Sequence, residues 1–323
     1  MKFLSILLLV GYFLPWQQCL SAEKKISAFP LTPEWADKIR EIAPASPATP
    51  PQKNRQVLIF SLATGVNHWC IPHTATVVEI LGEKSGAYKS VRSIDIEEFL
   101  PENLGKYDAI VLNNNCPTGK DRDVFRDVLL NKMENFGGKY VSMPLNERMA
   151  LAQKLYASLV AYVAEGGGLV LLHGAITNFN YSEEFSSLVG GSFNFHPIQQ
   201  NVTLRPVNPE HPLLKPFGGK PFIHFDEPYF FIGAYDQLNF HPLLEMMEGA
   251  MLKAKETKRK MSDSPCYVSW IKPYKKGRVF YCSPSHNAQS FERPELLSFI
   301  LNGMQYSLGD LECNDQPVPR PDK

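Results

Sequence analysis

Three short runs constrain this chain more than any other feature. RQVLIFSL at 55–62, YDAIVLNN at 107–114 and GGLVLLHG at 167–174 are apolar nearly throughout and do not alternate with polar residues. A strand with one face in water alternates, whereas a strand covered on both faces is continuously apolar, as in parallel sheets whose crossover helices lie above and below. Helical patterns stand between the runs: one from Pro72 to Glu83, another carrying Leu151, Leu155, Leu159 and Val163 on one face and closed by Gly166, Gly167 and Gly168. The repetition predicts an α/β fold with an open, doubly wound, mostly parallel sheet.

The second half changes character. From Gly190 to about Ser264, strand-like pieces (NVTLRPV, PYFFI) are broken by prolines and followed by a Met- and Lys-rich stretch from Leu243 to Lys260. This predicts a β-rich elaboration of the same sheet. The segment 266–283 reads as a hairpin turning at Lys275, Lys276 and Gly277, and a last helix starts at Pro294 with Leu297, Ile300, Leu301 and Met304 on one face. Residues 23–54 read as an N-terminal segment and proline-rich linker, 55–310 as the folded domain and 311–323 as a tail.

The N-terminus reads as an export signal. Lys2 precedes an apolar run from Phe3 to Pro15, and Leu20, Ser21 and Ala22 form a small-residue cleavage site, so residues 1–22 are expected to be removed. The run is shorter than the roughly 20 residues that a bilayer span needs. The expected product is periplasmic or secreted, with no membrane span. Trp16, Gln17 and Gln18 are bulky or polar where a lipid-attachment site at Cys19 would need small residues, which argues against a lipid anchor.

Charge and motifs narrow the function. The 33 basic and 33 acidic side chains cancel, which excludes the basic surplus of a nucleic-acid partner and favours small molecules or neutral polymers as ligands. No GxGxxG follows the first strand, and neither GxxxxGK[ST] nor GxSxG occurs, which argues against a dinucleotide, a nucleoside triphosphate and a serine hydrolase. Beyond the signal, Cys70, Cys116, Cys266, Cys282 and Cys313 are odd in number and lack paired spacing. Buried free thiols are the expectation, and Cys266 with Cys282, at the two ends of the hairpin, is the pair placed to face each other.

In an open parallel sheet, ligands bind beyond the carboxyl ends of the strands. His68, His173 and His286 each follow a predicted strand, and the topology brings them to one edge. Asp226 and Glu227, between phenylalanines and a tyrosine, are expected to be partly buried with raised carboxyl pKa values suited to acid/base work. His196, Trp69, Asp226 and Tyr229 are candidates for substrate contact, the aromatic pair by stacking on a sugar ring. His73, His211, His224 and His241 lack the strand-end position. Two chemistries suit the set. His68, His173 and His286 with Glu227 could hold a transition metal such as zinc, or the same residues could shuttle protons beside a carbonyl.

Several blocks, in order, resemble the ThuA-like (trehalose utilisation) family, related in fold to the class I glutamine amidotransferases. They are GVNHWCIPHTATVVEILGEKSGAY, YDAIVLNNN, GGGLVLLHGAITNF, GGSFNFHP, FDEPYFF and VSWIKPYKKGRVFYCSPSHN, spanning about 55–310. The resemblance implies a flavodoxin-like sheet and a role in carbohydrate metabolism, and His68, His173, His196, Glu227 and His286 match it. The turn that carries a nucleophilic cysteine in the amidotransferases reads His173, Gly174, Ala175 here, which implies no glutamine hydrolysis. Thr177 replaces a frequent aspartate, and Ser285 a glycine. The leading expectation is an exported enzyme acting on a sugar or glycoside, such as a keto-sugar. The rival is a non-catalytic carbohydrate-binding or scaffolding protein; a Cys70 peptidase is a distant third. In a bacterial host, the periplasmic product should begin at Glu23 by N-terminal sequencing, and a cytoplasmic product retaining Met1 would refute the signal.

Overall fold

The computed structural model describes residues 26–117, 119–131, 138–247 and 265–318. The expected signal, Cys19 and most of the Met- and Lys-rich stretch lie outside them. In chain order the main elements are α1 (Pro33–Ile42), β1 (Gln56–Phe60), α2 (Ile71–Ser85), β2 (Lys89–Ser93), α3 (Pro101–Leu104), β3 (Ala109–Asn113), α4 (Val124–Arg126), α5 (Leu145–Ala164), β4 (Gly168–Leu172) and α6 (Glu183–Val189). The second half adds β5 (Ser192–Phe195), β6 (Gln200–Pro206), β7 (Phe222–Asp226), β8 (Phe230–Ile232), β9 (His241–Met246), β10 (Cys266–Tyr274), β11 (Gly277–Cys282) and α7 (Pro294–Ser307).

The apolar runs become β1, β3 and β4. Every residue of β3 and β4 is buried, as strands covered on both faces require. They belong to one nine-stranded sheet ordered β2-β1-β3-β4-β11-β10-β9-β6-β7. The pairings from β2 through β11 are parallel and those from β11 to β7 antiparallel. The α/β, doubly wound expectation is borne out, and the β-rich half extends the same sheet. The hairpin register sets Cys282 opposite Ser269, while Cys266 lies opposite Met246, so the two thiols do not face each other.

Two boundaries need correction. The folded unit does not start near Arg55, because α1 buries Trp35 and Ile39 in the common core. Thr32 caps this helix by accepting the Trp35 N–H, and Pro33 occupies its first turn. The proline-rich stretch after it is fastened too: Ala48 N–H donates to Gln305 Oε1 at 2.8 Å and Gln52 N–H to Asp310 Oδ1 at 3.0 Å. Nor is the tail free from Leu311 onward, since His211 Nε2 lies 3.0 Å from the Asn314 carbonyl and His241 Nδ1 2.8 Å from that of Gln316.

Arg55 joins these ends to the sheet, with Nη2 2.5 Å from Asp310 Oδ1 and Nη1 3.3 Å from Asp108 Oδ1. Removing one partner of a buried pair strands the other charge. Arg55→Ala is expected to lower unfolding free energy in urea by about 3 kcal/mol; a loss below about 0.5 kcal/mol, typical of a surface site, would contradict this role.

Candidate functional site

Parallel pairing puts the carboxyl ends of β1, β3, β4 and β11 on one edge, so the segments after them deliver His68, Asn114, His173 and Ser283 through His286 to the same place. Each antiparallel step reverses direction, and four steps beyond β11 the strand β7 again points the same way. Glu227, directly after β7, therefore emerges on that edge. Five strand spacings of about 4.8 Å would leave β7 about 24 Å from β4 in a flat sheet, yet Glu227 Oε2 is 3.2 Å from His173 Nε2. The antiparallel half must curl back over the parallel half, and the register shifts between β9 and β10 supply local bending.

Glu227 Oε2 lies 3.2 Å from His173 Nε2, 3.1 Å from His286 Nδ1 and 3.7 Å from His196 Nε2. His286 Nδ1 is also 3.1 Å from His173 Nε2. His68 stands above them, its ring 5.4 Å from that of His173 and 5.0 Å from that of His286, with Nδ1 buried and without a hydrogen-bond partner. Ligating atoms of His68, His173, Glu227 and His286 all fall within 4.8 Å of one another.

The tautomers follow from the neighbours. His173 Nδ1 faces the Ser283 carbonyl at 2.9 Å, an acceptor only, so Nδ1 carries a proton; Nε2 then holds a lone pair in the neutral ring and donates to Glu227 in the protonated one. The Phe225 carbonyl accepts from Asn287 Nδ2, which also donates to Gln199 Oε1, and Gln199 Nε2 then donates to His286 Nε2. That chain puts the His286 proton on Nδ1, where it is shared between Glu227 Oε2 and His173 Nε2. His173 itself has φ +45°, a left-handed conformation uncommon for a residue with a side chain, at the turn after β4. Tyr281 Oη bonds its carbonyl, and the next N–H, of Gly174, donates to Asn114 Oδ1 at 3.1 Å. A Cβ on Gly174 would stand 3.1 Å from His68 Cε1, so this glycine gives His68 its place.

Electrostatics separates the members. Burial, reinforced by His173 and His286 nearby, pushes the His68 imidazole down to about 3, keeping it neutral. Burial acts to raise Glu227, but its contacts with His173 and His286 outweigh it and hold the carboxyl well below the usual range. The expectation of a raised carboxyl is thus corrected for Glu227, which is an anion in contact with imidazoles. Burial acts to lower His286, and the bond to Glu227 with the charges of Asp226 and Glu227 raises it on balance. Burial drives the Cys70 thiol far up, so no thiolate nucleophile is available there.

Three expected substrate contacts are engaged otherwise. Trp69 packs against Phe29 and His73 at ring distances of 5.2 Å, part of the seam holding the N-terminal segment. Tyr229 is buried beneath His173, 4.3 Å away, and offers no face for a sugar to stack on. Asp226 is buried; its Oδ1 accepts the Glu227 N–H at 2.8 Å and Oδ2 lies 3.3 Å from His224 Nδ1, so it positions Glu227. His196, 36% exposed on its side chain, is the most exposed of the three histidines around Glu227 and stacks on Tyr229. Asn180 fixes the strand that leads to it by pairing with both the N–H and the carbonyl of Phe193 in β5. Sequence reasoning missed Gln199, Asn114 and Asn287, and set His224 aside. Of these, His224 carried a signal, two residues before Asp226 and so on the same face of β7.

The fold and site define an α/β protein with a histidine–carboxylate cluster at the carboxyl edge of its sheet. The profile of the ThuA family, described as trehalose utilisation, matches residues 56–307, and the chain belongs to that family. Among solved structures it resembles a ThuA-like protein from Bacteroides uniformis ATCC 8492 (18% identity, 82% of this chain and 93% of that one, TM-score 0.57). It also resembles one from Parabacteroides merdae ATCC 43184 (18% identity, 83% and 94%, TM-score 0.54). No curated protein matches the sequence.

The His68 shift sets a pH dependence. Its folded value lies below the ordinary 6.5, so between about 3 and 6.5 the unfolded chain binds a proton that the folded protein does not, and stability falls as pH falls. Chelator-treated wild type should lose up to about 1.4 kcal/mol per pH unit more than His68→Gln between roughly pH 6 and 5. Equal slopes in urea unfolding would contradict a buried neutral His68.

Proposed function

We propose that this chain is an exported, sugar-processing enzyme of carbohydrate metabolism that acts on a sugar or glycoside by acid/base or metal-assisted chemistry. An oxidised keto-sugar is the substrate class that the site suits best. The observation that carries the reading is Glu227 Oε2 in simultaneous contact with His173 and His286 at 3.2 and 3.1 Å. A carbonyl acidifies the C–H bond beside it, and an ionised carboxylate with an adjacent imidazole donor is a base and an acid within one substrate's reach. His196, the most exposed of the histidines around Glu227, is the one that such a substrate can reach from solvent. The family's description supports a carbohydrate, and the N-terminal signal supports export, periplasmic or secreted. Glutamine amidotransferase chemistry has no support, since His173 occupies the turn where that reaction needs a thiol.

One observation favours the rival, a non-catalytic carbohydrate-binding or scaffolding protein. Thr177, at the position of the family's frequent aspartate, bonds the Gly174 carbonyl at 2.8 Å and brings no second carboxylate to the cluster. Incubation with oxidised glycosides separates the two. His173→Asn, whose side chain tolerates the left-handed backbone, is expected to lower turnover at least about 100-fold with Tm within a few degrees of wild type. Sugar binding without product, unchanged in a His173/His286 double variant, would support the rival instead.

A further inference from the structure

His173 Nε2, His286 Nδ1 and Glu227 Oε2 form a nearly equilateral triangle with edges of 3.2, 3.1 and 3.1 Å. With both imidazoles neutral, one proton serves its three edges, and His173 Nε2 and Glu227 Oε2 face each other at 3.2 Å as lone-pair atoms, a contact that a cation at the centre satisfies. A tetrahedron with such edges has its centre about 1.9 Å from each corner, close to zinc–nitrogen and zinc–oxygen bond lengths of roughly 2.0–2.2 Å.

We propose that these three atoms are the protein ligands of a divalent transition-metal site, zinc by its donor set, and that its fourth position is open toward His68 and His196. Two imidazoles and one carboxylate with an open position are a set that catalytic zinc uses, whereas structural zinc closes all four. The surroundings agree. The Ser283 carbonyl orients His173 through its other nitrogen, the kind of support that metal-bound histidines receive, and Gln199 sits on the other nitrogen of His286. Binding at His286 Nδ1 moves that ring's proton to Nε2, so the Gln199 amide must turn end for end and give up its bond from Asn287, which keeps its bond to the Phe225 carbonyl. His68 stands outside the triangle with a buried, unpartnered Nδ1, placed to take a hydrogen bond from water or substrate at the open position. This assignment narrows the sequence expectation, in which His68 is itself a ligand.

The inference concerns the same residues as the proposed function but not its substrate. The test measures metal content after equilibration of chelator-stripped protein with Zn²⁺ and dialysis, with Tm recorded with and without Zn²⁺. Wild type should retain about one equivalent and gain Tm. Glu227→Gln and His286→Asn should bind at least about tenfold more weakly and lose the Tm gain, and His68→Ala should retain its equivalent. Where a variant is unfolded by circular dichroism before metal is added, the other variant decides. No retention by wild type, or equal retention by both folded ligand variants, overturns the site; loss in His68→Ala overturns the three-ligand assignment. Turnover without metal would leave the proposed function standing by proton transfer, and metal without sugar turnover would leave the site standing alone.

Discussion

The structure turns on one buried carboxylate. Glu227 is a charge at the floor of a protein edge, and an isolated carboxylate there would become protonated. It stays ionised because His173 and His286 contact the same oxygen. That requirement explains features that otherwise look unrelated: the left-handed turn at His173, the buried Asp226 behind the Glu227 N–H, and the amide chain from Phe225 through Asn287 and Gln199. Each fixes one atom of the contact.

The sheet makes the contact possible. The parallel half brings together residues separated by more than 200 positions, because strand direction, not sequence distance, decides which loops share an edge. The antiparallel half then curls to bring the end of β7 to the end of β4. Arg55 and the N- and C-terminal segments brace the far side through Asp108 and Asp310. The site therefore joins two regions whose relative placement depends on the whole sheet, and Gly174 leaves just enough space for His68 over their junction.

Much of this was legible in the sequence. Apolar runs without alternation gave away β1, β3 and β4, and the strand-end rule picked His68, His173 and His286, which the structure brings together with Glu227. Other parts were hidden for physical reasons. α1 begins with Thr32 and Pro33, a capping pattern obscured by the proline-rich stretch that follows it. Gln199 and the Ser283 carbonyl act through hydrogen bonds that no residue type announces. Trp69 and Tyr229 look like sugar contacts only until their neighbours are known, and both are packing residues. The sign of the Glu227 shift was misjudged because burial was weighed without the imidazoles that outweigh it.

The central claim is that the charge on Glu227 carries the chemistry. Glu227→Gln keeps the size and most of the hydrogen bonding and removes the charge, so turnover of an oxidised glycoside by this variant is the most direct test. The account predicts a loss of at least about 100-fold in a protein that remains folded at 25 °C. Turnover within about twofold of wild type would contradict it.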